Sequence, residues 1–271
     1  LEEERYEEGV LRTARLYGDR GAVREIRHYD AEGNLETSVE LDYTDGRRTA
    51  ERHYGQDGEL VYTDRFSYGS NGRVREVERF RGDEITRTTQ YGYADGRLFE
   101  EYFRNGEDVA VVRYDDEGRV AYRAERNAGE LVREREYRYE GEGVRIVTTR
   151  PADQAGVTIE RYEEGLLVSS RVEVEGQIVS ETTREYEEGR LSRVVSAGDD
   201  IAGRRIELYE YDEDGELVRR RVRSDGTTLR EVVYTGERTR EEITYRDGEP
   251  FLRVTYRDDN PVARELVTGD E

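Results

Sequence analysis

The sequence predicts an all-β chain, an elongated or spiralling antiparallel β-meander of about 22 short strands joined by hairpins. Three observations carry this. A turn signal returns about every ten to fourteen residues: Tyr, two or three polar residues, Gly, then a β-prone stretch. The segments between turns alternate apolar and polar, the period of a strand with one buried face. No helical i, i+3, i+4 stripe of useful length interrupts them.

The turns come first, because they set the pairing. YDAEG ends at Gly33, YTDG at Gly46, YGQDG at Gly58, YGSNG at Gly72 and YADG at Gly96. YDDEG follows at Gly118, YEEG at Gly165 and Gly189, and YDEDG at Gly215. In YDAEG and YDDEG the residues before Gly suit a type I turn, with Gly supplying the left-handed residue of a bulge. The TDG and ADG forms suit tighter turns with positive φ near Gly. Connections this short force sequential strands to be antiparallel neighbours.

The strands follow. Leu35, Thr37, Val39, Leu41 and Tyr43 point one way, and Glu36, Ser38, Glu40 and Asp42 the other. Leu60, Tyr62, Phe66 and Tyr68 repeat the pattern, with Asp64 breaking it. Ile206 and Leu208 alternate with Arg205 and Glu207. Gly33, Gly58, Gly82, Gly106 and Gly129 form a series of alternate turns, so two strands make one repeat. The phase loosens at 150–157, around Pro151, and at 196–204. Neither stretch has the character of a linker, and residues 1–271 read as one continuous hairpin-repeat domain.

Composition bounds the core. Apolar residues are 34% of the chain, and that share includes 21 Tyr, so each strand offers only a few inward side chains. Leu, Ile, Val and Phe make about a fifth, near the limit for disorder, but phased Tyr and Gly argue for a fold. The expected sheet curls so that Leu, Val and Tyr face inward, with Arg and Glu on the other face. Charged residues are 40%, the basic ones all Arg, and the net charge of −21 repels nucleic acid and anionic membranes. Cross-strand Arg–Glu pairs then set register and discourage edge pairing more than they stabilise. There is no Cys for a disulfide, a thiolate ligand or a nucleophile. No stretch has the ~18–20 apolar residues of a membrane-spanning helix. The chain starts at Leu1 rather than Met, which suggests a segment upstream.

Tyr91-Gly-Tyr93-Ala-Asp-Gly96-Arg-Leu98, Tyr209-Glu-Tyr211-Asp-Glu-Asp-Gly215-Glu-Leu217 and Tyr29-Asp30-Ala-Glu-Gly33-Asn-Leu35 resemble the YD repeat of RHS-type proteins. The resemblance covers nearly the whole chain. It implies a spiralling hairpin sheet in a periplasmic, cell-surface or secreted bacterial protein, which in large relatives forms a shell around a toxin domain. This chain is short for a closed shell, and shows neither the Asp-Pro-rich core motif nor a toxin domain. RYEEGVL (5–11) and RYEEGLL (161–167) are also similar to MORN-variant hairpin repeats, found in some antitoxin-like proteins. Neither likeness transfers a catalytic residue.

No catalytic, cofactor-binding or metal-ligating set stands out. His28 and His53, the two histidines, occupy the same place before a turn Tyr, as shared repeat descent explains. The register predicts a shared face on strands ~9.6 Å apart. Acidic turns such as YDDEG, YDEDG, AGDD (197–200) and RDDN (257–260) match no calcium loop and are what turn chemistry demands. No G-x-S-x-G or phosphate loop occurs, and Asp and Glu are too common to single out a glycosidase pair. The expected function is a non-catalytic structural or interaction scaffold of a bacterial envelope or secreted assembly, without cofactor. Its partner would be a protein or a second copy meeting an edge strand. A glycan- or calcium-binding surface module is the first alternative, with Tyr and Arg suited to sugar rings. An antitoxin-like or toxin-shelling repeat is the second.

Overall fold

The computed structural model describes residues 1–18, 21–199, 203–236 and 238–267. Asp200, part of the predicted AGDD turn, lies outside them. The chain divides into two compact units, Leu1–Glu134 and Arg135–Glu271. The first holds β1 (Glu2–Glu7), β2 (Val10–Tyr17), β3 (Val23–Tyr29), β4 (Leu35–Thr44), β5 (Arg47–Tyr54), β6 (Leu60–Tyr68), β7 (Val74–Arg81), β8 (Glu84–Ala94), β9 (Arg97–Asn105), β10 (Asp108–Tyr114) and β11 (Val120–Asn127). The division falls within β12 (Glu130–Glu140). The second unit holds β13 (Val144–Pro151), β14 (Gly156–Glu163), β15 (Leu166–Val174), β16 (Gln177–Glu187), β17 (Arg190–Gly198), β18 (Arg205–Tyr211), β19 (Leu217–Ser224), β20 (Thr227–Gly236), β21 (Thr239–Arg246), β22 (Glu249–Arg257) and β23 (Asn260–Leu266).

The chain is all-β, as predicted, with 23 strands rather than about 22. Counting turns undercounts strands by one, since each turn separates two. Among the described residues there is no helix, and strands pair antiparallel with their sequence neighbours. Each unit is therefore a meander of consecutive hairpins.

Two turn chemistries build it. Asp45-Gly46 has φ of 51 and 76°, Glu164-Gly165 has 50 and 86°, and Glu188-Gly189 has 52 and 78°. Two left-handed residues in sequence make the type I′ hairpin turn, whose twist matches the strands. In YDAEG, YDDEG and YDEDG only Gly is left-handed, and Gly33, Gly118 and Gly215 donate N–H to the Asp30, Asp115 and Asp212 carbonyls. That is the predicted type I turn with a Gly bulge. Next to most turns the register also slips by one residue, as between Asp42 and Tyr43, or His53 and Tyr54.

The expected single apolar face is not what forms. Leu41 lies opposite Glu51, which lies opposite Asp64, so these share a face. Ala14 lies opposite Arg27 and Arg27 opposite Ser38, three residues from Leu41, which puts Ala14 on the other face. All of Leu41, Asp64 and Ala14 are buried. The polar Thr89 and Glu231 are buried too, while Leu60 is 50% exposed and Ile178 53%. The accessible surface is 18481 Å². Among the described residues, nine apolar side chains are buried. With so little covered, burial follows position rather than polarity. Buried Ala14, Leu41, Asp64 and Thr89 stand mid-strand, while exposed Leu60, Ile85 and Ile178 stand at strand starts.

Candidate functional site

Every even-numbered strand closes on a tyrosine: Tyr17, Tyr43, Tyr68, Tyr93, Tyr114, Tyr139, Tyr162, Tyr186, Tyr211, Tyr234 and Tyr256. The odd-numbered strands do so only at Tyr6, Tyr29, Tyr54 and Tyr245. The two-strand repeat is thus marked at one set of turns, and three of these tyrosines make the same bond. Tyr68 Oη donates to the Arg48 carbonyl at 2.6 Å, Tyr186 Oη to the Leu167 carbonyl at 2.9 Å, and Tyr211 Oη to the Leu191 carbonyl at 3.1 Å. Each acceptor sits two residues past the Gly of the preceding even turn.

Arginines answer from that preceding turn. Arg47 lies over the Tyr68 ring at 5.6 Å, Arg73 over Tyr93 at 5.4 Å, Arg145 over Tyr162 at 4.5 Å and Arg190 over Tyr211 at 5.9 Å. Arg97 instead donates to the Asp116 carbonyl at 2.8 Å. At Tyr68 and Tyr211 an O–H bond and a cation over the ring together clasp one hairpin to the one before it; at Tyr186 the bond acts alone, and at Tyr93 and Tyr162 the cation.

The acidic turns are occupied by their own backbone. Asp30 Oδ1 accepts from the Glu32 and Asn34 N–H at 3.0 and 2.8 Å. Asp115 Oδ1 accepts from Glu117 and Arg119 at 3.1 and 2.8 Å, and Asp212 Oδ1 from Glu216 at 2.8 Å. The Asn34 backbone bond, followed by its side chain, holds the Asp30 carboxyl below its usual range. In RDDN, Asp258 and Asp259 form a turn of two left-handed residues, and Asp259 is bound by Arg240. These carboxylates cap turns rather than converge on a centre.

Mid-strand carboxylates are gripped by arginine. Glu231 bonds Tyr245 at 2.8 Å and meets Arg219 and Arg221 at 3.0 and 3.1 Å. Burial raises its pKa, but Tyr245 and the arginines outweigh it and the carboxyl is held low. Glu207 is alike: burial raises it, and Arg220 and Tyr209 bring it down. Tyr114, by contrast, is pushed up to about 12 by burial and by its bond to Glu101.

On β5–β7 the grip has a different form. Glu51 and Asp64 lie directly opposite, two like charges across one ladder. Arg79 binds Asp64 through two bonds of 2.8 Å, and Arg48 binds Glu51. His53, two residues along β5, stacks on Tyr62 at 4.2 Å, with Arg79 over that ring at 3.8 Å. His53 Nε2 stands 3.5 Å from Glu51 Oε2 and is buried without a hydrogen-bond partner. Among the described residues, Glu51, His53 and Asp64 are the group whose His and carboxylate donor atoms come within 4.8 Å of one another. His28 is exposed, paired with Thr13 and Thr37. Since His53 pairs with Val39, the two histidines share a face, flanking β4 and offset by two residues. His28 takes no part in the cluster. The sequence signal for the cluster was Asp64, which breaks the alternation of β6.

No family profile and no curated protein sequence matches the chain. Among solved structures it is similar to a chain of the Photorhabdus luminescens Tc holotoxin pore, at 12% identity and TM-score 0.23 over 96% of this chain and 19% of that one. It is similar to a porin-like protein from Bacteroides uniformis at 14% identity and TM-score 0.27, over 80% and 91%. A TcdB2-TccC3 structure lacking its hypervariable C-terminal region gives 15% identity and TM-score 0.20, over 95% and 21%. The chain therefore spans about a fifth of the two toxin chains, and at these TM-scores the backbones do not superpose as wholes.

Proposed function

We propose that the chain is a non-catalytic scaffold of YD-type hairpin repeats, serving a secreted or surface-exposed bacterial assembly by presenting its sheet to protein partners. The observation that carries this is the even-turn clasp, in which Tyr and Arg side chains at recurring positions fasten one hairpin to the last. The turn Asp residues are likewise spent on turns, and half-buried Glu207 and buried Glu231 are held ionised. Little polar machinery is left over for chemistry. Apolar side chains near the strand starts are left over instead: Leu60, Ile85 and Val132 in the first unit, Ile178 and Leu229 in the second, each 44% exposed or more. Exposed apolar groups with polar neighbours suit protein contact.

The test is co-expression with the products of genes adjacent to its own, followed by cross-linking. The chain has no Lys, so the reagent must join carboxylates. Glu59 and Glu84, each next to an exposed apolar residue, and Glu130, two residues before exposed Val132, are expected to link to one partner protein. A turnover activity that copurifies and is lost in a single-residue variant would sink the reading.

A further inference from the structure

We propose that Glu51, His53 and Asp64 form a binding site for a transition-metal dication of the zinc class. The site does not depend on the scaffold reading, and its make-up sets it apart from the other mid-strand carboxylates. At Glu207 and Glu231 the carboxylates face arginines and a tyrosine, with no histidine among them. On β5 and β6 two carboxylates face each other directly, with a histidine at their side.

The histidine is the second observation. Its Nε2 is buried, has no hydrogen-bond partner, and lies 3.5 Å from a Glu51 oxygen. A buried ring nitrogen left unbonded carries a desolvation cost that a ligand would relieve. A neutral imidazole with its proton on Nδ1 presents a lone pair there. Two ligands ~2.1 Å from a tetrahedral zinc stand ~3.4 Å apart. The His53–Glu51 separation already has that value, and the farthest pair of the three donors, at most 4.8 Å apart, needs only a modest approach.

The surroundings hold the donors in place. Tyr62 stacks on the His53 ring and fixes its plane. Arg79 takes one lone pair on each Asp64 oxygen, which leaves one on each. Arg48 Nη1 donates to Glu51 Oε1, and Oε2 is the oxygen that faces His53. Such outer partners orient ligating carboxylates in metal sites. One nitrogen with two oxygens selects zinc or its first-row neighbours over calcium, which takes six to eight oxygens.

The chain has two histidines, so ring-nitrogen NMR of the tag-free protein shows two imidazoles. On titration with Zn²⁺ alone, the His53 ring is expected to shift at its Nε2, with His28 unmoved. By calorimetry, His53→Gln and Asp64→Asn should each weaken Zn²⁺ binding about tenfold or more, while His28→Gln leaves it unchanged. The NMR experiment uses the natural chain and does not depend on whether a variant folds. If neither ring responds, if His28 responds in place of His53, or if His53→Gln binds as tightly as the natural chain, the cluster is an internal ion network and the proposal is overturned.

Discussion

The Tyr68 hydroxyl donates to the backbone carbonyl of Arg48 at 2.6 Å, across the boundary between successive two-strand repeats. Removing only that oxygen isolates the bond. Tyr68→Phe is expected to lower unfolding free energy by about 1 kcal/mol. Arg47→Ala, which strips the cation from the same ring, should remove about 0.5 kcal/mol. Urea titrations of the two variants and their double mutant would measure the coupling; strictly additive losses would show that the clasp is not one device.

Arg79→Ala is expected to be far more damaging than loss of an exposed arginine. It leaves buried Asp64 opposite Glu51 with its main counter-charge gone. The expected loss is about 3 kcal/mol, the scale of a broken buried pair. Arg5–Glu7, with side chains 76% and 55% exposed, should be worth less than about 0.5 kcal/mol. Denaturation midpoints of Arg79→Ala and Arg5→Ala, compared under one condition, decide it; equal midpoints would mean that the cluster is screened like the surface.

Stability should fall at both ends of the pH scale, for opposite reasons. Glu207, Glu231 and Glu125 are lowered in the folded chain, their arginine partners outweighing burial. Their contribution is present above the unfolded carboxyl pKa of about 4.3 and is lost as pH falls through the lower folded values. Tyr114 runs the other way, raised from 10.0 to about 12 by burial and by Glu101. Its contribution is whole below pH 10.0 and is lost as pH rises through about 12. Urea midpoints measured across pH should form a plateau with two shoulders. Tyr114→Phe should move only the alkaline one.

Gly46→Ala tests the turn chemistry without a steric complication. A Cβ there meets nothing within 4 Å, but φ is +76°. The left-handed region alone should then cost about 1 kcal/mol. A midpoint equal to that of the natural chain would show that the turn relaxes to another type.

Most of the architecture was legible because turns are local. Asp45-Gly46 and YDAEG specify their own geometry from a few adjacent residues, and short turns dictate neighbour pairing. The one-faced core was not legible, because alternation in Leu35–Tyr43 speaks of polarity while burial depends on what lies above a residue. With little covering the strands, Asp64 and Thr89 at mid-strand are drier than Leu60 at a strand start. The cluster on β5–β7 was hidden for a related reason. Glu51 meets Asp64 only when the register slip beside Tyr54 is known, and one residue more or less would send them to opposite faces. The even-turn tyrosines were visible as a list but not as a row, since only strand parity shows that within each unit they share an edge.

That parity constrains how such a chain can grow. Duplicating or deleting a pair of strands keeps each tyrosine beside the carbonyl it needs, so length can change in steps of one hairpin. Gaining or losing a single strand would carry all later tyrosines, with their acceptors, to the opposite margin and break the contact where the count changes. A ruler assembled this way is divisible only at every second mark.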